Sequence, residues 1–110
     1  MRSALAVEAK RVLINVTTGN AAFGPAVCSR AKEWVAYAEW SVGTTAGVVT
    51  VESAPYEGYL GTWQSLGTLT WTAADRADEL NFTGFHLAIR FRVSTTVTGG
   101  TVTVWAGGRM

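Results

Sequence analysis

Charge is scarce in this sequence. Aspartate, glutamate, lysine and arginine make up 15% of its 110 residues, against about 25% in an average soluble domain. A small domain has a large surface for its volume, so it should need more charge than average. Either its surface is rich in threonine and glycine, or part of that surface is buried against other chains. Cysteine is nearly absent. Cys28 stands alone and cannot close an internal disulfide, which argues against a small secreted domain held by disulfides. The single histidine, His86, leaves little material for a catalytic triad or a zinc site. A net charge of +1 supplies no basic stripe, so nucleic acid is not an expected partner. No stretch approaches the roughly 20 apolar residues of a membrane helix. The apolar start of the chain is broken by Glu8 and Lys10, short of a signal-peptide core. A soluble product made in the cytoplasm is expected. The length suits one domain over residues 1–110 and excludes a (β/α)₈ barrel, which needs roughly 200 residues or more.

What is present is strand-forming. Hydrophobic residues are 48% of the chain, five of them Trp, and Thr, Val and Gly recur throughout. From Phe85 to Ser94, Phe85, Leu87, Ile89, Phe91 and Val93 fall on one face, and His86, Ala88, Arg90, Arg92 and Ser94 on the other. That period of two belongs to a strand with one core face and one polar face. From Trp34 to Val42, Trp34, Ala36, Ala38, Trp40 and Val42 share a face, with small residues set between two large ones. Val48–Ser53 follows a turn at Thr44–Gly47, and the two segments are expected to pair as an antiparallel hairpin. Lys10–Thr17, Ala26–Arg30 and Thr101–Trp105 are further expected strands. Gly19-Asn20 and Thr98-Gly99-Gly100 are expected turns, the second closing a hairpin. Trp63–Trp71 reads as two strand pieces bent at Gly67. Thr72–Glu79 is the one helix-like stretch, better suited to a single turn or an ordered loop. Gly107-Gly108-Arg109 reads as a flexible tail. The sum is about seven or eight short antiparallel strands in a single all-β domain, a β-sandwich or jelly roll.

A search for chemistry yields little. His86 lies on the polar face of a strand with no nucleophile beside it in sequence. Cys28 has no base or electropositive neighbour to activate it and reads as a small buried thiol. Asp75, Asp78 and Glu79 form a solvated turn rather than a carboxylate pair in a cleft. Glu39 and Glu52 would face one another across the expected hairpin. No spacing matches a metal site or any cofactor-binding loop. An enzyme is therefore not expected. The tryptophans remain: Trp34 and Trp40 share the core face, whereas Trp105 is out of phase with Val102 and Val104 and faces outward. A carbohydrate platform is the functional alternative to core packing for this set.

Three segments carry a family resemblance: V-T-V-E-S-A (Val49–Ala54), W-Q-S-L-G-T-L-T-W (Trp63–Trp71) and L-A-I-R-F-R-V-S-T-T-V-T-G-G-T-V-T-V (Leu87–Val104). Together they resemble small structural proteins of tailed bacteriophages, above all head decoration or cement proteins. The resemblance spans roughly residues 34–106. It implies a jelly-roll-like sandwich on the outside of a capsid, a homotrimer that clamps neighbouring copies of the major capsid protein. Such a protein is made in the host cytoplasm, resides on the virion and performs no catalysis. Residues 1–30 match nothing in that family, and an arm reaching a neighbouring subunit is one reading of them. Under this resemblance the contact candidates are Tyr56, Tyr59 and Trp63 at the Pro-Gly loop, Arg90 and Arg92 on the polar strand face, and Trp105. The alternative function is a carbohydrate- or receptor-binding module of a phage fibre or tail.

Overall fold

The computed structural model describes residues 6–23, 32–56, 58–84, 86 and 88–109. Eight strands follow one another: β1 (Ala6–Val16), β2 (Asn20–Phe23), β3 (Glu33–Trp40), β4 (Ala46–Ala54), β5 (Gln64–Thr70), β6 (Ala77–Thr83), β7 (Ala88–Thr98) and β8 (Val102–Arg109). They form two four-stranded sheets, ordered β1-β8-β3-β6 and β2-β7-β4-β5. Every neighbouring pair is antiparallel. The chain changes sheet at each connection except β4 to β5. That is the strand order of an eight-stranded jelly roll.

The core is the space between the sheets. Alternation in β3 points Trp34, Ala36, Ala38 and Trp40 inward, all buried. Val49 and Val51 of β4, Leu69 of β5, Ile89 and Phe91 of β7, and Val102 and Val104 of β8 complete it from both sides. The two alanines make room for the larger side chains of the facing sheet. Each fully buried Phe or Val contributes roughly 1.5–3 kcal/mol through lost apolar surface.

Several expectations change here. The segments around Trp34–Trp40 and Val48–Ser53 do not pair. They are β3 and β4, in different sheets, joined by an arch at residues 41–45. The same holds for Thr98-Gly99-Gly100, which turns the chain from β7 in one sheet to β8 in the other. The two arches bond to each other instead: Ser41 N donates to Thr101 O at 2.9 Å and Thr45 N to Thr98 O at 2.8 Å. Alternation reveals which face of a strand is apolar, but a hairpin partner and a facing strand both satisfy it. Val42 lies beyond the end of β3 and is 79% exposed, not part of the core face. Gly19 does sit in a turn, but Asn20 already begins β2.

Thr72–Arg76 is the ordered loop expected, with Asp75 N donating to Thr72 Oγ1 at 3.4 Å. Residues 77–79, however, start β6, an edge strand along β3 that half-buries Leu80 and Phe82. Its polar residues fit because an edge strand faces solvent on one side. The expected tail Gly107-Gly108-Arg109 is strand too, paired with Val35, Trp34 and Glu33. The strand expected at Ala26–Arg30, with Cys28, lies outside the described residues, as do Phe85 and Leu87 at the start of the Phe85–Ser94 segment.

Trp63–Trp71 contains one strand rather than two pieces, and its bend at Gly67 is a β-bulge. Val51 pairs with Gly67 but Glu52 with Ser65, leaving Leu66 as the extra residue. Gly67 has φ +151°, and a Cβ there would lie 2.8 Å from Leu80 Cδ2. Gly67→Ala is therefore expected to cost more than about 1 kcal/mol, read as a lowered denaturation midpoint with an unchanged slope.

Candidate functional site

The outward face of the β2-β7-β4-β5 sheet carries the most elaborate side-chain arrangement among the described residues. Register sets Glu52 of β4 opposite Arg90 of β7, and Thr50 opposite Arg92. Glu52 is out of phase with Val51, so it points away from the core, yet it is only 6% exposed. Its cover is arginine. Arg90 Nη2 donates to Glu52 Oε1 at 2.6 Å and Arg90 Nε to the same oxygen at 3.0 Å. Arg92 Nη2 donates to Oε2 at 3.0 Å. Arg92 Nε is shared between both carboxylate oxygens, at 3.4 Å from Oε1 and 3.3 Å from Oε2, so the two guanidiniums together satisfy the carboxylate. Beside this cluster, Thr50 Oγ1 donates to Ser94 Oγ at 2.7 Å.

The Pro-Gly loop between β4 and β5 folds over the same face. The Arg90 guanidinium carbon lies 4.3 Å from the centre of the Trp63 ring, a cation–π contact. Trp63 Nε1 donates to the carbonyl of Tyr59 at 3.0 Å. Tyr59 meets Trp63 at 6.5 Å and Tyr56 at 5.2 Å, both edge to face. A continuous row results: Arg92, Glu52, Arg90, Trp63, Tyr59, Tyr56. It ends in solvent, where Tyr56 is 59% and Leu60 98% exposed. Five of the six residues singled out in the sequence meet here. Glu52, the hub, was expected opposite Glu39. Its true partners follow from β4 lying beside β7 rather than β3.

Burial pushes the Glu52 carboxyl up, but hydrogen bonds from Arg92 and Arg90, with their charges, outweigh it and hold the group below the ordinary carboxylate range. A carboxyl with a lowered folded-state pKa adds stability that is present above its unfolded pKa. That stability is lost as pH falls through the folded value. The Glu52 contribution should therefore be complete near neutrality and fade below about pH 4. Glu52→Gln should flatten that acid limb of stability against pH, measured by urea denaturation. Held ionised between two arginines, Glu52 has neither a proton to give nor a free oxygen for attack. The arrangement is suited to docking.

Trp105 stands apart, on the outward face of the other sheet. Its ring meets Tyr37 edge to face at 5.9 Å. Arg11, Trp105, Tyr37 and Glu79 lie directly opposite one another across all four strands. His86 packs its ring against Trp34 and Phe82, and its Nε2 is 3.0 Å from the Thr83 carbonyl. Asp78 ties the two sheets together by accepting from Thr70 N at 2.8 Å. Among the described residues no group of three His, Cys, Asp or Glu side chains could hold a metal ion. Four of the five tryptophans are poorly placed for a sugar platform: Trp34 and Trp40 are buried, Trp71 packs on the core, and Arg90 covers one face of Trp63; Trp105, beside Tyr37, stays on an outward face.

No family profile and no curated protein matches the sequence. Among solved structures, the SPBc2 prophage-derived protein YomS is similar over 100% of this chain and 99% of its own, with a TM-score of 0.65 and 15% identity. A structure described under the heading "Bacillus endospore appendages form a novel family of disulfide-linked pili" is similar over 100% of this chain and 95% of that one, with a TM-score of 0.49 and 12% identity. The first likeness is one of fold, and this jelly roll is shared from end to end with a prophage-derived protein.

Proposed function

We infer that the chain is a non-enzymatic structural subunit of a bacteriophage particle, one that decorates or cements the capsid by binding across boundaries between coat subunits. The observation that carries this reading is the end-to-end fold likeness to a prophage-derived protein. The surface geometry supports it. The row from Arg92 to Tyr56 is cross-braced before any partner arrives, so little side-chain freedom is lost on binding. Arginine and tyrosine are also the residue types that dominate interface energetics. The protein would be made in the host cytoplasm and reside on the virion, bound to the major capsid protein and to copies of itself.

The test is co-sedimentation of the purified chain with empty shells of the coat protein encoded in the same gene cluster. Saturable binding is expected, and Tyr56→Ala should weaken it by about tenfold or more. Shells that leave all of the chain in the supernatant would overturn the assignment.

A further inference from the structure

A cavity of about 250 Å³ opens at the arch end of the β1-β8-β3-β6 sheet. Its polar side chains form a row across that sheet. Asn15 of β1, Thr103 of β8 and Glu39 of β3 follow one another on neighbouring strands. Arg76 completes the row just ahead of β6, where Trp40 N donates to its carbonyl at 2.9 Å. Val42 adds an apolar wall. Asn15 is fixed in place: at φ +50° it is the one described residue other than glycine in the left-handed region. It lies where β1 slips register between Leu13 and Val16, and such irregularities re-aim a side chain. Its backbone N donates to Thr103 Oγ1 at 3.2 Å, and Thr103 Oγ1 donates to its Oδ1 at 3.3 Å. The amide oxygen is engaged, and the NH₂ group has no partner among the described residues. The Glu39 carboxylate and the Arg76 guanidinium form no ion pair among them either. The next row along the same face is aromatic. Tyr37 and Trp105 lie two residues on from Glu39 and Thr103, about 7 Å away by strand rise, with their rings edge to face at 5.9 Å. Charge balances along both rows. Glu39 and Arg76 line the cavity, Glu79 and Arg11 lie opposite the aromatic pair, and Glu33 stands opposite Arg109 at the far end.

We propose that this corner binds neutral carbohydrate, one sugar ring seated in the cavity with its hydroxyls bonded to Glu39, Arg76 and Asn15, and the next ring of the chain lying against Tyr37 and Trp105. A carboxylate that only accepts, a guanidinium that only donates and a free amide NH₂ are together the complement of a group of hydroxyls, each of which does both. A balanced site gives an ion of either sign no net attraction. A zwitterion could meet Glu39 and Arg76, but ion pairs this exposed add little, and the aromatic row would go unused. A sugar uses both rows, because its hydroxyls take the polar one and its apolar C–H face packs on aromatic rings. The cavity falls below the roughly 300–1,000 Å³ of drug-sized sites, which suits a single ring. The site lies on the face opposite the row from Arg92 to Tyr56, so docking by that row leaves it open. The inference goes beyond the capsid reading and does not depend on it.

The purified chain is screened on an array of glucose, mannose, galactose and N-acetylglucosamine oligomers, from monosaccharides to hexasaccharides. Sugars that bind are then titrated by calorimetry, with glycine as the zwitterionic control. At least one series should bind, its oligomers about tenfold or more tighter than its monosaccharide because they reach both rows. The affinity should be the same at about 0.05 and about 0.5 M salt, since the ligand is uncharged. Glu39→Ala should weaken monosaccharide and oligomer alike by about tenfold or more. Tyr37→Ala should weaken the oligomer by a similar factor and leave the monosaccharide unchanged. Both side chains are exposed, so both variants should keep the wild-type melting temperature. Should either lose its fold, shifts of the Tyr37 and Glu39 amide signals on adding sugar to the wild-type chain report the same contact by nuclear magnetic resonance. A chain that holds none of these sugars overturns the proposal. So does sugar binding that survives both substitutions, or glycine binding tighter than that of any sugar. Sugar binding without shell binding would defeat the capsid assignment and leave this site standing. Shell binding by a chain that holds no sugar would do the reverse.

Discussion

Trp40→Ala is expected to lower the unfolding free energy by about 3–5 kcal/mol, the largest effect of any single truncation among the described residues. Trp40 is 1% exposed and is the bulkiest of the fully buried side chains. It closes the core at the end where β3 passes into the arch to β4. A Cβ on Gly47 of β4 would lie 2.9 Å from Trp40 Nε1 and 3.1 Å from Val97 Cγ2. The facing sheet is therefore shaped around the indole, and rigid strands cannot collapse into the space it would leave. Its Nε1 has no hydrogen-bond partner, so Trp40→Phe removes an unsatisfied polar group as well as volume. The phenylalanine variant should lose clearly less than the alanine variant. Against a total stability of roughly 5–15 kcal/mol for a domain, the alanine variant should be partly unfolded at physiological temperature. Thermal denaturation followed by circular dichroism reads both. An alanine variant within about 1 kcal/mol of wild type would mean that the core relaxes far more than its packing allows.

The second large effect belongs to the surface hub. Glu52→Ala leaves Arg90 and Arg92 side by side with no counter-charge. Breaking a buried pair by removing one partner costs about 3–5 kcal/mol. The arginine side chains here keep 25% and 42% of their surface, so a loss below that range is expected, about 2–3 kcal/mol. Arg92→Ala should cost much less, about 1 kcal/mol or under, since Arg90 still holds the carboxylate and the lost side chain was half in solvent. The asymmetry is the diagnostic result. Equal losses at Glu52 and Arg92 would mean that the cluster is an ordinary solvated pair. A separate readout concerns the loop. With Arg90 released from Glu52, its seat on Trp63 should loosen, and Trp emission should shift to the red in Glu52→Ala.

The strand content and the identity of the core were legible in the sequence because burial writes a period of two into a strand. Trp34, Ala36, Ala38 and Trp40 could be placed on one face from their spacing alone. Pairing was not legible. Val49 and Val51 alternate identically whether β4 lies beside β3 or across the core from it, and only the three-dimensional arches decide. That ambiguity displaced Glu52, whose sheet position made it the partner of two arginines rather than a neighbour of Glu39. Edge strands were the other blind spot. Asp78, Glu79 and Asn81 dilute the apolar signal of β6 to two half-buried positions, and Gly107 and Gly108 mimic a tail while filling a ladder. Tyr56, Tyr59 and Trp63 were chosen for their loop and Arg90 and Arg92 for their strand face, and the bulged β4–β5 connection brings the two groups together.

The place of β8 has a consequence for how the chain acquires its structure. The last strand is not an edge; it lies between β1 and β3 and bonds to both. Until residues 102–109 arrive, β1 has no neighbour in its own sheet, and β3 has only β6. Folding during synthesis must therefore wait for the final strand, and it must join chain segments about a hundred residues apart, which places it among the slow, millisecond-to-second all-β folders. Until then the apolar side of Trp34, Trp40 and the valines of β4 stays uncovered on the ribosome. The low charge leaves the unfinished chain with little like-charge repulsion to keep copies apart, so its yield should depend more on synthesis rate and temperature than its final stability would suggest.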